Sequence, residues 1–117
     1  MAIKFDKIEF GDIVINGVSY DAKDLLVFYD GTIKEREKSH VVSKKEIEEI
    51  LREGKGIEEI IVALGFSSCV SVEAGAKSLA EERGVKVTEL KTREACMEFE
   101  KRVSEGKRVA LILHSTC

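Results

Sequence analysis

The pattern of hydrophobic and polar residues changes near residue 41 of the chain. Before that point, short apolar runs are separated by turn dipeptides, which is typical of antiparallel strands. Asn16-Gly17 and Asp30-Gly31 each supply the two positive-φ positions of a type I′ turn, so two hairpins with two-residue loops are predicted. A further strand is predicted in the preceding segment IKFDKIEF. Residues 1–40 are therefore predicted to form a β-hairpin meander.

After residue 41, segments with helical spacing of apolar residues alternate with short apolar runs. Three helices are predicted, each followed by glycine: 44–53, 72–83 and a helix from the cap Thr92 to Gly106. Ser43 and Glu46 have the spacing of a capping box at the first helix. Three strands are predicted at 59–64, 85–90 and 108–113. The resulting order, β-α-β-α-β, requires parallel strands joined by right-handed crossovers.

The apolar patterns of these three strands predict their positions in the sheet. Strand 85–90 alternates apolar and polar residues, as expected at a sheet edge, whereas 59–64 and 108–113 are continuous apolar runs. The predicted strand order is therefore the Rossmann-like order 2-1-3. In open α/β sheets, ligands bind where the chain reverses direction between neighbouring strands. The segments that meet there are Gly65–Cys69 and His114–Cys117.

These elements together predict a single α/β domain over residues 1–117. The domain has three layers and a mixed sheet. The meander of residues 1–40 forms a hairpin layer, and residues 41–117 form the α/β part.

Several segments of the chain resemble one family of small proteins of unknown function. They are FGDIVINGVSY, SHVVSKKEIEEIL, EEIIVALG, ERGVKVTEL and the closing TREACMEFEKRVSEGKRVALILHSTC. The family includes the adipogenesis-associated protein, a mitochondrial complex I assembly factor, and archaeal and bacterial hypothetical proteins. The resemblance implies three layers with βαβαβ units and gives no catalytic residues. Many relatives have Gly-x-Gly where this chain has Gly65-Phe66-Ser67, and many have a Trp ahead of His40, which this chain lacks.

Composition and charge narrow the functional classes. The net charge is −3, and Lys and Arg are interspersed with Asp and Glu, which argues against binding of nucleic acid or a membrane surface. We expect neither a signal peptide nor a membrane span, because the first residues lack the signal pattern and no apolar run approaches ~20 residues. The three cysteines contain no C-x-x-C pair, which argues against a disulfide framework or structural zinc site. A cytoplasmic protein is therefore expected, and abundant Lys and Glu with few amides indicate a thermophilic source.

The last four residues carry most of the candidate chemistry: His114, Ser115, Thr116 and Cys117. The histidine can act as a base or ligand, the cysteine as a nucleophile or ligand, and the hydroxyl groups as donors to an anion. Residues three apart on an extended strand lie ~10 Å apart, so a His–Cys pair requires a turn after Leu113. The alternative is structural, with the hydroxyl groups and the terminal carboxylate tying this segment to neighbouring backbone.

The loop GFSSCVS is the second candidate region. Gly65 can adopt positive φ, and Ser67, Ser68 and Ser71 can cap the helix predicted at 72–83. The free N–H groups at such a helix start could bind an anion, with Cys69 as a second reactive thiol. Simple N-capping by serine is the alternative.

A third region is the segment TIKEREKSH. Strand spacing places Lys34, Arg36 and Lys38 on one face, and with His40 they are a candidate basic surface for an anion or a partner. The alternative is a charged edge strand that prevents pairing between molecules. His40 has a structural alternative too, and Cys96 is predicted to be a core residue.

The sequence contains no P-loop, G-x-G-x-x-G, G-x-S-x-G or H-E-x-x-H motif. The first functional hypothesis is a non-catalytic module that binds a protein partner or a small anionic ligand between residues 65–69 and 114–117. The alternative is an enzyme acting on a small anionic substrate, with Cys69 or Cys117 as nucleophile and His114 as base. Metal binding by His114 and Cys117 lacks further ligands in the sequence pattern, so no metal and no cofactor is predicted.

Overall fold

The computed structural model describes residues 3–117 as one mixed α/β fold. Its strands are β1 (Phe5–Glu9), β2 (Asp12–Ile15), β3 (Val18–Asp21), β4 (Asp24–Phe28), β5 (Ile33–Arg36), β6 (Val41–Val42), β7 (Glu59–Ala63), β8 (Ser71–Val72), β9 (Lys86–Leu90) and β10 (Val109–Leu113). Its helices are α1 (Lys44–Glu53), α2 (Ala74–Glu82) and α3 (Thr92–Ser104). None of the described helices is long and apolar enough to cross a membrane.

A five-stranded mixed sheet with the order β5-β4-β10-β7-β9 forms the centre of the molecule. β7 pairs in parallel with both β10 and β9, so the predicted order 2-1-3 is confirmed, with β9 at the edge. On its other side β10 pairs antiparallel with β4, which places the last strand in the middle of the sheet. Two smaller sheets, β1-β2-β3 and β6-β8, complete the fold.

The inner strands of the central sheet, β4, β10 and β7, are buried on both faces, which explains their continuous apolar runs. Successive residues of a strand point to opposite faces. Ile60 and Ile112 belong to the core cluster that includes apolar residues of α1 and α2. Ile61 and Leu111 belong to the cluster that includes Phe99 of α3 and residues of the β1-β2-β3 sheet. The domain thus has three layers, as predicted.

The two predicted hairpins have different loops. Asn16 and Gly17 both have positive φ, 49° and 81°, and join β2 to β3 as a two-residue loop, which confirms the first prediction. The prediction of a second two-residue loop at Asp30-Gly31 is wrong, because only Gly31 has positive φ and the Phe28 N–H donates to the Thr32 carbonyl. The Asp30 carboxylate accepts from the Thr32 N–H at 2.9 Å, which favours a three-residue loop and lowers the pKa of Asp30.

The predicted meander is divided between two sheets. β1, β2 and β3 form their own antiparallel sheet, whereas β4 and β5 extend the central sheet beside β10. The reason lies in the composition of β4, whose sequence DLLVF is apolar at consecutive positions and therefore suits burial on both faces.

The helix starts differ from the predictions in three places. Ser43 does cap α1 by accepting from the Glu46 N–H, but the Glu46 carboxylate binds Arg36, so the reciprocal half of the capping box is not formed. The cap predicted at Ser71 is wrong, because this residue pairs with Val41 in the β6-β8 sheet and α2 begins later. The cap predicted at Thr92 is also wrong, because this residue is buried and its hydroxyl bonds elsewhere.

Candidate functional site

The segments that follow β7 and β10 are held together by Thr92. Its Oγ1 donates to the His114 carbonyl at 2.7 Å and accepts from the Gly65 N–H at 3.0 Å. A Cβ on Gly65, which has φ +102°, would lie 2.2 Å from the carbonyl carbon of Cys117. Only glycine therefore allows the two segments to approach this closely.

Backbone hydrogen bonds close the crevice that the sequence suggested for a ligand. The Ser67 and Cys69 N–H groups donate to the main-chain oxygen of Cys117 at 2.7 and 3.3 Å, and the Phe66 N–H donates to the Thr116 carbonyl at 2.8 Å. The loop N–H groups that we expected to bind an anion are thus bonded to residues of the same chain. The side chains of Ser67 and Ser68 are exposed.

His114 is fully buried at the end of β10 and faces a buried carboxylate. Because Leu113 pairs with Leu25, the next residue along β10 lies opposite Asp24 at the start of β4. His114 Nδ1 is 2.8 Å from Asp24 Oδ2, and the Ser115 N–H donates to Asp24 Oδ1 at 3.4 Å. The Ser115 carbonyl accepts from the Gly11 N–H at 2.7 Å, so this buried residue is part of the scaffold.

The same carboxylate is bound by Arg36, which pairs with Asp24 across β4 and β5. Arg36 Nη1 is 2.9 Å from Asp24 Oδ2, and its Nε and Nη2 lie 2.5 and 3.1 Å from the Glu46 carboxylate. The guanidinium also donates to the carbonyls of Ser39 and Val41, both at 3.2 Å. With both carboxylates ionised, Asp24, Arg36 and Glu46 carry one net negative charge in a buried position.

Arg36 therefore does not belong to an exposed basic surface, and that part of the prediction is wrong. On the face shared by Lys34 and Arg36, acidic residues of α1 pair with both side chains: Glu53 with the exposed Lys34 and Glu46 with the buried Arg36. Lys38 and His40 remain exposed. The strand is nevertheless an edge strand of the central sheet, as the alternative interpretation required.

The chain turns after His114 and brings a thiol beside two imidazole rings. Cys117 Sγ is 3.9 Å from His114 Nε2 and 3.4 Å from His40 Nε2. The two rings are nearly perpendicular, with centroids 5.0 Å apart, and Thr116 Oγ1 is 3.4 Å from His114 Nε2. We call His40, His114 and Cys117 the Cys–His cluster.

The short β6-β8 sheet positions His40 in this cluster. The residue directly precedes β6, which pairs in parallel with β8, and its carbonyl accepts from the Ser71 N–H at 2.9 Å. The β6-β8 sheet thus anchors His40 to the segment that follows the 65–69 loop. The sequence pattern gave no indication of this pairing, because each strand has only two residues.

The other two cysteines differ from Cys117. Cys69 is exposed, and a hydrogen bond with the Cys117 side chain raises the pKa of its thiol. Cys96 is buried on α3, as predicted, and burial raises the pKa of its thiol well above the ordinary value. Neither environment favours a reactive thiolate at neutral pH.

Asp24 and the structural role of Thr92 were not predicted from the sequence pattern. Asp24 is a charged residue at the first position of an otherwise apolar strand, which is an unusual place for a carboxylate without a partner. That signal could have marked it as one member of a buried pair, although its partner 90 residues away could not be inferred locally.

A cleft also lies elsewhere in the structure. It has a volume of about 460 Å³ between β5 and α1, beside Arg36, and does not include the Cys–His cluster. Its charged lining is mainly acidic: Glu35, Glu37, Glu46 and Glu49, with Arg36 and Lys45. This lining does not suit an anionic ligand.

Fold and site define a small three-layer α/β domain with a thiol and two imidazoles above a buried charge network. The chain belongs to the family described as protein of unknown function (DUF498/DUF598), whose model matches residues 5–114. The match ends at His114, so it includes Asp24, His40 and His114.

Solved structures, a hypothetical protein among them, share this fold. The conserved hypothetical protein PH1505 from Pyrococcus horikoshii OT3 is 27% identical, with a TM-score of 0.85 and complete coverage of both chains. MT938 is 29% identical, with a TM-score of 0.81 over 99% of this chain and 100% of its own. An outer membrane protein from Bartonella henselae, 18% identical, matches with a TM-score of 0.82 over 99% and 97% of the two chains and shows the fold alone.

Thr92→Val is expected to lower the free energy of unfolding by about 1–3 kcal/mol, because the buried Gly65 N–H and His114 carbonyl lose their shared partner. Chemical denaturation measures this loss. Thr92→Ser, which keeps the hydroxyl group, is the matched control and should lose less. A serine variant as unstable as the valine variant would contradict the bridging role.

Cys117→Ala is expected to lower the pH at which Cys69 becomes reactive, because it removes the hydrogen bond that raises the pKa of Cys69. The alkylation rate of Cys69 as a function of pH, followed by mass spectrometry with chelator present, measures the shift. Cys96→Ala changes a distant buried thiol and should leave the profile unchanged. An unshifted profile in the Cys117 variant would refute the assigned cause.

Proposed function

We propose that the Cys–His cluster is the active site of a thiol-dependent enzyme that acts on a small anionic substrate. Cys117 is the nucleophile, His114 the base and Asp24 the residue that orients the base. The observation that carries this proposal is the position of His114 between Asp24 and Cys117. Its Nδ1 is 2.8 Å from Asp24 Oδ2, and its Nε2 is 3.9 Å from Cys117 Sγ.

The orientation of the imidazole supports proton transfer from the thiol. A carboxylate that accepts from Nδ1–H leaves the lone pair on Nε2, which is the atom directed at Cys117. The net negative charge of the Asp24, Arg36 and Glu46 network stabilises the imidazolium that forms when His114 takes the proton. Cysteine nucleophiles are activated by this arrangement of base and orienting group.

The corresponding reaction is acyl transfer. The Cys117 proton moves to His114 Nε2, and the sulfur forms a bond to the acyl carbon of the substrate. The bond to the leaving group breaks as that group takes the proton back from Nε2, and water then attacks the acyl carbon, breaks the bond to sulfur and returns a proton to the thiol through Nε2. His40, with its Nε2 3.4 Å from the sulfur, supplies a second ring nitrogen beside the thiol that can hydrogen-bond the substrate.

A second candidate is the non-catalytic module that binds a protein partner or a small anionic ligand. An aromatic pair beside the closing segment favours it: Phe10 is 62% exposed, and its ring centroid lies 6.0 Å from that of the half-buried Phe66. Phe10 precedes Gly11, whose N–H binds Ser115, and Phe66 follows Gly65. Exposed aromatic side chains are enriched in binding surfaces.

The thiol reactivities of the unmodified chain test the enzymatic proposal. Iodoacetamide at pH 7, with chelator present and mass spectrometry of the labelled peptides, should modify Cys117 at least about 10-fold faster than Cys69. The reason is that a positioned base contributes on the order of 10²–10⁴-fold to proton transfer. Cys69 is an exposed reference in the same molecule, but its pKa is raised, so Cys117 must also react faster than free cysteine under the same conditions.

The variant His114→Gln tests, in the same assay, whether fast labelling of Cys117 is due to the imidazole base or only to solvent exposure of the thiol. It should slow the labelling of Cys117 at least about 10-fold while the labelling of Cys69 changes little. Circular dichroism establishes that the variant is folded, and if it is not, His40→Gln at the exposed ring provides the second comparison. Equal rates for Cys117 and Cys69 in the unmodified chain would refute the enzyme and leave the binding module.

A further inference from the structure

We infer that the Cys–His cluster is a binding site for a divalent transition-metal ion of the zinc class. The ligand atoms are His40 Nε2, His114 Nε2 and Cys117 Sγ, which all lie within 4.8 Å of one another. No metal site was predicted from the sequence pattern because His114 and Cys117 lacked a third ligand, and the fold brings His40 to them. This inference does not depend on the proposed function.

The distances agree with a tetrahedral site. Bond lengths of about 2.3 Å for Zn–S and about 2.0–2.1 Å for Zn–N place a sulfur and a nitrogen ligand about 3.5 Å apart. The two sulfur–nitrogen distances are 3.4 and 3.9 Å. Two nitrogen ligands would lie about 3.4 Å apart. The ligand atoms lie within 4.8 Å of one another, so the exposed His40 ring must approach His114 by at most about 1.4 Å.

An independent observation comes from the far side of His114. Metal-binding histidines almost always donate their second ring N–H to a carboxylate or carbonyl, which fixes the ring and increases its basicity. His114 Nδ1 faces Asp24 at 2.8 Å, and Arg36 holds that carboxylate in place at 2.9 Å. The buried network carries one net negative charge, which a bound cation would balance.

The donor set selects the class of metal. Two imidazole nitrogens and a thiolate suit zinc or cobalt, whereas magnesium and calcium require oxygen ligands. Three protein ligands leave a fourth position for water or an anion. Cys69 is a free cysteine whose thiol forms a hydrogen bond with the Cys117 side chain. It lies next to the cluster but is not one of the three ligands.

The experiment is a titration of tag-free, chelator-treated protein with Co²⁺, followed by absorption spectroscopy. We expect saturation at one equivalent, with a thiolate-to-cobalt charge-transfer band and the strong visible bands of a four-coordinate ion, both removed by Zn²⁺. Cys117→Ala should abolish the charge-transfer band, and His40→Ala should weaken cobalt binding at least about 10-fold. Both residues are only partly buried or exposed, so the variants should fold.

Cys69→Ala is the matched thiol control and should leave the spectrum and the affinity unchanged. A charge-transfer band that survives in Cys117→Ala, or disappears in Cys69→Ala, would overturn the assignment, as would unchanged affinity in His40→Ala. Zn²⁺ should also raise the melting temperature of the unmodified chain, and absence of both effects overturns the inference. Because the alkylation assay uses metal-free protein, fast labelling of Cys117 without cobalt binding would refute only the metal site.

Discussion

The buried carboxylate of Asp24 is the interaction on which the arrangement of this site depends. A carboxylate with 1% exposure is unstable without partners, and here Arg36 and His114 both bind Oδ2, at 2.9 and 2.8 Å. Asp24 belongs to β4, Arg36 to β5, and His114 directly follows β10. These three strands are neighbours in the central sheet. Their contacts therefore exist only in one register of these strands, and loss of one partner would leave a buried charge uncompensated.

The guanidinium of Arg36 also fixes the backbone on both sides of His40, the second histidine of the cluster. One arm binds Asp24, which orients His114, and the remaining donors bind Glu46 and the carbonyls of Ser39 and Val41. Those two carbonyls flank His40 in the chain. One buried cation thus positions both imidazole rings, the first through a carboxylate and the second through the backbone, which explains how an exposed histidine can be placed beside a buried one.

Much of the fold could be predicted because the burial of each strand is visible in its own pattern of apolar residues. The continuous apolar runs at 59–64 and 108–113 and the alternation at 85–90 were sufficient for the order 2-1-3, which the sheet confirms. Predictions from neighbouring residues failed where a residue distant in sequence binds the same side chain. Glu46 had the spacing of a capping box, but the buried guanidinium of Arg36 binds its carboxylate. Asp24 and His114 could not be paired, because their contact needs the register of β4 against β10.

The sequence left two interpretations of the last four residues, one structural and one chemical, and they concern different atoms. The main-chain oxygens of His114, Ser115, Thr116 and Cys117 accept hydrogen bonds from Thr92, Gly11 and the 65–69 loop. The imidazole and the thiol make none of these bonds and converge on one another instead. The backbone therefore holds the thiol in place before any ligand arrives, and preorganisation of this kind lowers the cost of both proton transfer and metal binding. The proposed base and the proposed metal ligand are the same lone pair on His114 Nε2, and in both roles Asp24 directs it.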